Sequence, residues 1–313
     1  MPMTHNNRPP DPAMTGLSIL VYLLLLLLSP AAVDGAVHAA EHVLVIGCDG
    51  MGSVAFEKAT TPTMRKLMEQ GAYTLKARAV MPTSSSPNWA SMIMGAGPEQ
   101  HGVTSNDWQP DKFDIAPQAV GTGGIFPTIF GVMRGQRPDS KIIALYDWKD
   151  FGRLLETNAP NITLHVKDAI ETAQKAVSLI KEMKPDFMFV HFDGVDHAGH
   201  GFGWKGPQYI KAVELADSLI EAMLQALDSA GIREKTVVLI TADHGGKGTS
   251  HGGNSMDELL IPWIIAGPGI AAGKQISAQV NTYDTAPTLA RILRLKAHPA
   301  WIGKPVDEAF KQE

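Results

Sequence analysis

Cysteine is nearly absent from this chain, with Cys48 the sole example. One thiol excludes an intramolecular disulfide framework and a zinc ribbon made of cysteine pairs. A surplus of one charge is also lacking. Lys and Arg number 27 against 32 Asp and Glu, a net of −5. That balance excludes a scaffold that grips nucleic acid by bulk positive charge. No internal repeat is visible. Gly121-Thr-Gly-Gly124 lacks the Gly-Lys-Ser/Thr ending of a phosphate-binding loop and reads as an ordinary turn-rich loop.

What the chain does have is apolar mass and histidine. At 44% hydrophobic it lies far from the composition that keeps chains disordered. It carries 11 histidines, five of them between His191 and His251. With cysteine scarce, a metal site here must be made of His and carboxylate. Cys48 sits inside an apolar run and reads as a small buried hydrophobe.

The apolar run Leu17–Leu28 has 12 residues, short of the roughly 20 that a spanning helix needs. Arg8 precedes it and Ser29-Pro30-Ala31-Ala32 follows. This layout is that of a secretory signal peptide over residues 1–36, with Val37-His38-Ala39 as a cleavage site, so the protein is expected to be exported, periplasmic or secreted. The competing reading is an uncleaved anchor extending from Met14 through Val33, the one case in which a membrane would be a partner. Residues 37–313 then read as a single domain.

Short apolar runs at His42–Cys48, Ala72–Met81, Lys141–Tyr146, Asp186–Phe192, Thr236–Ile240 and Ile261–Ile265 read as strands. Helical periodicity covers Thr63–Gln70, Asn88–Met94, Lys167–Lys184, Gln208–Ala230 and Asp284–Leu295. The alternation predicts an α/β fold, a mostly parallel central sheet with helices on both faces. Residues 105–140 carry little periodicity and read as a small cap insertion over one rim of the sheet.

Three of the strands end in acid: Asp49, Asp193 with Asp196 nearby, and Asp243-His244. The carboxyl ends of the strands in such a sheet define its functional crevice. Carboxylates gathered there raise one another's pKa, and a divalent cation resolves the conflict. Asp and His are zinc ligands. Asp193/His197 and Asp196/His200 each have i,i+4 spacing, and spacing does not choose between them. His251 follows in a Gly-rich loop. A nucleophile candidate lies in Met81-Pro-Thr-Ser-Ser-Ser-Pro-Asn-Trp89, where a hydroxyl at a helix N-terminus faces unpaired N–H groups. The competing reading is that Ser85 or Ser86 is only an N-cap.

In order, Asp49-Gly50, Pro82-Thr-x-Ser-x-Pro-Asn88, Gly95-x-x-Pro-Glu-x-His-Gly102, Asp196-x-x-Gly-His200, Asp243-His-Gly245 and His251-Gly-Gly253 resemble the alkaline phosphatase superfamily, and within it the type I phosphodiesterase/nucleotide pyrophosphatase branch. The resemblance runs from about residue 42 to about residue 295. It implies an alkaline phosphatase-like fold and two divalent ions, zinc by type. One would be held by Asp196, His200 and His251. The other would be held by Asp49, Asp243 and His244, with the oxygen of the nucleophile Ser85. It implies that Asn88 donates to the transferred phosphoryl oxygen and that Asn106 lies in the region lining the substrate pocket.

The implied activity is hydrolysis of a small-molecule phosphate ester, a nucleotide among the candidate substrates, by a phosphodiesterase/nucleotide pyrophosphatase working through phosphoryl-Ser85, with no stable nucleic acid complex. A phosphomonoesterase is the first alternative, because Lys149, Arg153 or Lys205 could reach the site through folding. A sulfatase is less favoured, since Trp89 stands where sulfatases carry Arg. A zinc-binding protein without catalysis and a metal-free serine hydrolase complete the rivals, the latter lacking a Gly-x-Ser-x-Gly elbow. Trp108, Trp204 and Tyr209 either stack on a leaving group or belong to the core.

Overall fold

The computed structural model describes residues 1–3 and 40–312. The leader reading, its cleavage site and the anchor alternative lie outside the described residues. No helix among the described residues is long and apolar enough to cross a membrane.

The unit that begins at His38 is organised by one eight-stranded sheet. The strands are β1 (His42–Cys48), β2 (Ala72–Arg78), β3 (Ile142–Tyr146), β4 (Ile162–His165), β5 (Phe187–Phe192), β6 (Thr236–Thr241), β7 (Leu260–Ala266) and β8 (Lys274–Gln275). Their order is β4-β3-β5-β1-β6-β7-β2-β8. Only β7 opposes the common direction, pairing antiparallel with both β6 and β2. The central β5, β1 and β6 are almost wholly buried, as parallel strands covered on both faces must be. The sheet is therefore mostly parallel, as the alternation of elements predicts.

Seven helices matter to the packing: α1 (Pro62–Gln70), α2 (Ser85–Met94), α3 (Ile129–Gln136), α4 (Ala169–Met183), α5 (Gly194–Phe202), α6 (Pro207–Ser229) and α7 (Thr285–Ile292). On one face α6 packs against α1, α4 and α5, and on the other α2, α3 and α7 pack together. Phe187, Phe189 and His191 of β5 point to that second face. There Phe130 meets Phe187 at 5.1 Å and Trp89 meets Phe189 at 6.0 Å between ring centroids.

Several expectations need correction. The second strand stops at Arg78, not Met81, and the helix expected from Asn88 begins at Ser85. Ser84 is the N-cap residue, so neither Ser85 nor Ser86 caps this helix. The region 105–140 is not irregular throughout: α3 lies within it and buries Ile129, Phe130 and Met133. Strand β4 was not anticipated. Its residues are mostly exposed at the sheet edge, so it shows no apolar run. The last helix is shorter than 284–295, ending at Ile292.

Gly47 marks a close approach that only glycine permits. A Cβ there would lie 2.4 Å from the Trp89 ring. Trp89 is fully buried and cannot retreat. Gly47→Ala is expected to destabilise the protein by about 2 kcal/mol or more, the scale of core overpacking. Denaturant midpoints measure this, and a change below about 0.5 kcal/mol would contradict the packing described here.

Candidate metal centre and nucleophile

The strand ends assemble the site. Asp49 follows β1, Asp243 and His244 follow β6, and Asp193 precedes α5, which carries Asp196 and His200 one turn apart. Asp196, His200 and His251 place one ligand atom each within 4.8 Å of one another, and so do Asp49, Asp243 and His244. A third grouping joins Asp49, Asp193 and Asp196. The i,i+4 ambiguity is resolved in favour of Asp196/His200, whose Oδ2 and Nε2 lie 3.3 Å apart. His197 joins none of these groups.

All three histidines are turned the same way. Nδ1 of His200 lies 2.9 Å from the Thr249 carbonyl, Nδ1 of His244 2.8 Å from that of Gly245, and Nδ1 of His251 2.9 Å from that of Thr83. An Nδ1–H donated to a carbonyl leaves Nε2 as a bare lone pair, the arrangement that orients a metal ligand. Nε2 of His244 faces Asp243 Oδ2 at 3.1 Å, Asp49 Oδ1 at 3.4 Å and Ser85 Oγ at 3.2 Å. A lone pair against two carboxylate oxygens is repulsive unless a metal cation or a proton lies among them. Asp49 Oδ1, Asp196 Oδ1 and Asp243 Oδ2 are moreover buried without a hydrogen-bond partner. Such orphaned oxygens are costly. The donor set therefore fits divalent ions of the zinc type.

The electrostatics of the metal-free pocket say the same. Burial first, then the charge of Asp49 and Asp193, pushes the Asp196 carboxyl up to about 9. Burial, then Asp49, raises Asp243 well above the carboxylate range, and burial with Asp49 pushes Asp193 up to about 7. Asp49 goes the other way. Burial opposes its charge, but hydrogen bonding from His191, the charges of His244 and His191, and the Trp89 N–H hold it at about 2. Burial lowers His244 to about 4, so its ring is neutral. His191 is raised to about 9, because hydrogen bonds to Asp147 and Asp49 outweigh its burial.

Ser85 is the first residue of α2 and is 5% exposed. Its helix start is tied to the His251 loop through Thr83, whose Oγ1 donates to the Gly253 carbonyl and accepts from Gly252 N–H.

A family model for type I phosphodiesterase/nucleotide pyrophosphatase matches residues 43–123 and 140–264. The chain belongs to this family. Its fold is similar to those of a solved phosphodiesterase and an alkaline phosphatase. Human ectonucleotide pyrophosphatase/phosphodiesterase 5 superposes with a TM-score of 0.73 at 15% identity, covering 87% of this chain and 100% of that one. The alkaline phosphatase PafA superposes with a TM-score of 0.74 at 12% identity, covering 87% and 99%. Among curated proteins, ectonucleotide pyrophosphatase/phosphodiesterase family member 1 of Homo sapiens is 22% identical over 221 residues, 59% of this chain and 21% of its own length. GPI ethanolamine phosphate transferase 1 of Emericella nidulans is 25% identical over 225 residues, 67% of this chain and 23% of its own. The chain thus spans about a fifth to a quarter of these curated relatives.

The family motif around Ser85 needs one reassignment. Asn88 is fully buried. Its Oδ1 accepts from Val80 N–H, and its Nδ2 donates to the carbonyls of Val80, Pro82 and Ser84. An amide whose donors and acceptor are all spent on backbone holds the loop before α2 in shape; it does not reach a phosphoryl oxygen. Asn106 comes to the nucleophile instead, its Oδ1 accepting from Ser86 N–H at 2.8 Å. Arg153 is also closer than a surface charge would be. Its Nη2 donates to Ser86 Oγ at 3.2 Å and to the Asn106 carbonyl. Lys205 pairs with Asp257 on the surface. Arg153 and Asn106 are both candidates from the sequence, but spacing does not show that they meet at Ser86, since Asn106 comes from a loop and Arg153 from the short 3-10 helix Lys149–Leu154.

His101 of the same motif set is structural. Burial lowers it to about 3, and it lies between Ser91 Oγ and Val103 N–H. Trp204 and Tyr209 are core residues, both donating to the Gly50 carbonyl behind Asp49. Trp108 differs. Its Nε1 is buried without a partner, and it lines a cavity of about 110 Å³ with Thr104, Ser105, Lys112 and Phe113. Burial pushes the Cys48 thiol up, which keeps it protonated and inert.

Proposed function

We propose that this chain is an exported metal-dependent hydrolase of phosphate esters, a phosphodiesterase acting through a covalent phosphoryl-Ser85 intermediate. The observation that carries it is the convergence of Ser85 Oγ, three outward-facing Nε2 atoms and three orphaned carboxylate oxygens in one pocket. Two zinc ions held by Asp49, Asp243 and His244 and by Asp196, His200 and His251 would supply Lewis acidity to the nucleophile and the phosphoryl oxygens.

The chain's own residues supply the rest. Ser85 Oγ attacks phosphorus, the P–O bond to the leaving group breaks, and the alcohol departs with a proton. Water then attacks the same phosphorus from the opposite side, releasing a phosphate monoester and restoring the Ser85 hydroxyl. At the start of α2 the Ser85 N–H is left to face a phosphoryl oxygen, since the Ser86 N–H is taken by Asn106, Pro87 has none and that of Asn88 bonds the Ser84 carbonyl. Asn106, its amide oxygen fixed by Ser86 N–H, turns its NH₂ end to donate to one of them; this role replaces the one read for Asn88. The recess at Trp108, lined by Ser105 and Asp107, adjoins the Asn106 loop. A murine relative in this family was solved, as an inactive variant, in complex with AMP, so a nucleotide phosphodiester that would release AMP as the monoester product is the first substrate to test.

Metal-free serine hydrolysis is disfavoured, because His244 Nδ1 meets a backbone carbonyl and not an orienting carboxylate. One observation favours phosphomonoester hydrolysis as a second reading: Arg153 sets a guanidinium beside Ser86. The deciding experiment compares bis-p-nitrophenyl phosphate with p-nitrophenyl phosphate on purified protein of measured metal content. The expected result is two zinc ions per chain, faster diester cleavage, loss of activity with a chelator and recovery with zinc. Full activity without metal would overturn the proposal, and a faster monoester would move it to the second reading.

A further inference from the structure

His191 is the one buried histidine of the cluster that the mechanism leaves without a task. It stands on β5, in register with Gly47 of β1 and Tyr146 of β3. Its Nε2 lies 3.1 Å from Asp49 Oδ2 and its Nδ1 3.3 Å from Asp147 Oδ1. Both ring nitrogens are thus committed to carboxylates. Trp89, Phe151 and Trp148 wall the ring in at centroid distances of 4.8, 5.1 and 6.2 Å. The side chain is fully buried and has no room to turn. Asp147 is anchored in its turn by Asp193 N–H at 2.7 Å.

The effect on Asp49 is asymmetric. Oδ2 receives both His191 and the Trp89 N–H, the latter at 2.8 Å. Oδ1 receives no hydrogen bond and faces His244 Nε2. A carboxylate free to rotate would offer either oxygen or both. Here one oxygen is occupied from behind and the other is aimed forward.

We propose that His191, braced by Asp147, is a positioning residue that presents Asp49 to a divalent cation through Oδ1 alone, and that it pre-builds the Asp49/Asp243/His244 site without touching the Asp196/His200/His251 site. This rests on the two-ion reading above. His191 hydrogen-bonds Asp49 and no member of the Asp196/His200/His251 group, so losing its donor bears first on the Asp49 site.

The test is a zinc titration against a chromophoric chelator, with near-ultraviolet circular dichroism as a fold check. The wild-type chain is expected to bind two ions. His191→Phe keeps an aromatic ring but offers no donor, and it is expected to weaken one ion by about 10–100-fold and leave the other unchanged, the usual cost of losing such a partner. His191→Gln retains an N–H donor and recovers part of that loss. Should His191→Phe fail to fold, Asp147→Asn, which loosens the brace from its far end, is expected to weaken the same single ion. Unchanged affinity for both ions in a folded variant would overturn the inference, as would equal weakening of both. A wild-type chain that binds no zinc would overturn the two-ion reading itself, a distinguishable failure.

Discussion

Ser85→Ala lowers kcat on a phosphodiester by about 10³–10⁵-fold, some 4–7 kcal/mol of transition-state stabilisation, while zinc content stays at two per chain. The two readouts separate because six side chains other than Ser85 would hold the ions, and the Ser85 oxygen adds only one further ligand to one of them. Removing Oγ deletes the atom that must bond to phosphorus, and no neighbour replaces it. Ser84 is the N-cap residue and Ser86 already holds Arg153. The six ligands come from Asp49, the β6 end, α5 and the His251 loop, and none is positioned by the Ser85 side chain. The fold loses little, since Ser85 Oγ makes no cap bond to its helix and, among the described residues, its side-chain partner is His244. Steady-state kinetics with elemental analysis on the same sample decides it. Activity within tenfold of wild type would remove Ser85 as nucleophile, and zinc loss would make it a structural ligand instead.

Much of this site is legible before folding is considered, for a physical reason. A parallel strand buried on both faces must be an unbroken apolar run, and β1, β5 and β6 are such runs. Ionisable residues just past their ends then stand out, and Asp49, Asp243 and His244 do. What stays hidden depends on partners far away in sequence. Asn88 lies three residues from Ser85 along the chain yet points back to the loop that precedes it. Asn106 lies far along the chain yet meets Ser86 directly. Short-range motifs cannot separate these two amides, because the difference is a turn of α2 and the path of a loop. Strand β4 and helix α3 escaped for another reason. The first is an exposed edge, and the second is an apolar turn inside a Gly- and Pro-rich stretch that hides its period. The reversed direction of β7 is likewise a property of connections, which no apolar count records.

Stripping the metal should make stability fall as pH rises from 7 to 9, and reloading zinc should remove the part of that fall that comes from the ligand carboxyls. In the metal-free pocket Asp196 is pushed up to about 9, by burial and then by Asp49 and Asp193, and Asp243 is raised as well. The same carboxyls in the unfolded chain ionise near pH 4. Between these values the native state holds protons that the unfolded state has released, so stability declines with rising pH by about 1.4 kcal/mol per unit for each proton held. His191, raised to about 9, adds in the same direction above its unfolded value near 6.5. The groups that act oppositely lie outside the window. His244 at about 4 and His101 at about 3 strengthen the fold as pH rises only up to the unfolded histidine value. Asp49, held at about 2, contributes stability lost only on strong acidification. Zinc displaces the protons from Asp196 and Asp243, so the loaded protein lacks their slope and its affinity for the metal rises with pH. Denaturant unfolding of chelated and reloaded samples at pH 7, 8 and 9 measures the gap, which is expected to widen at each step. A metal-free chain whose stability stayed flat or climbed across that range would mean that the carboxylates are ionised without a cation, and the case for a built metal site would fail with it.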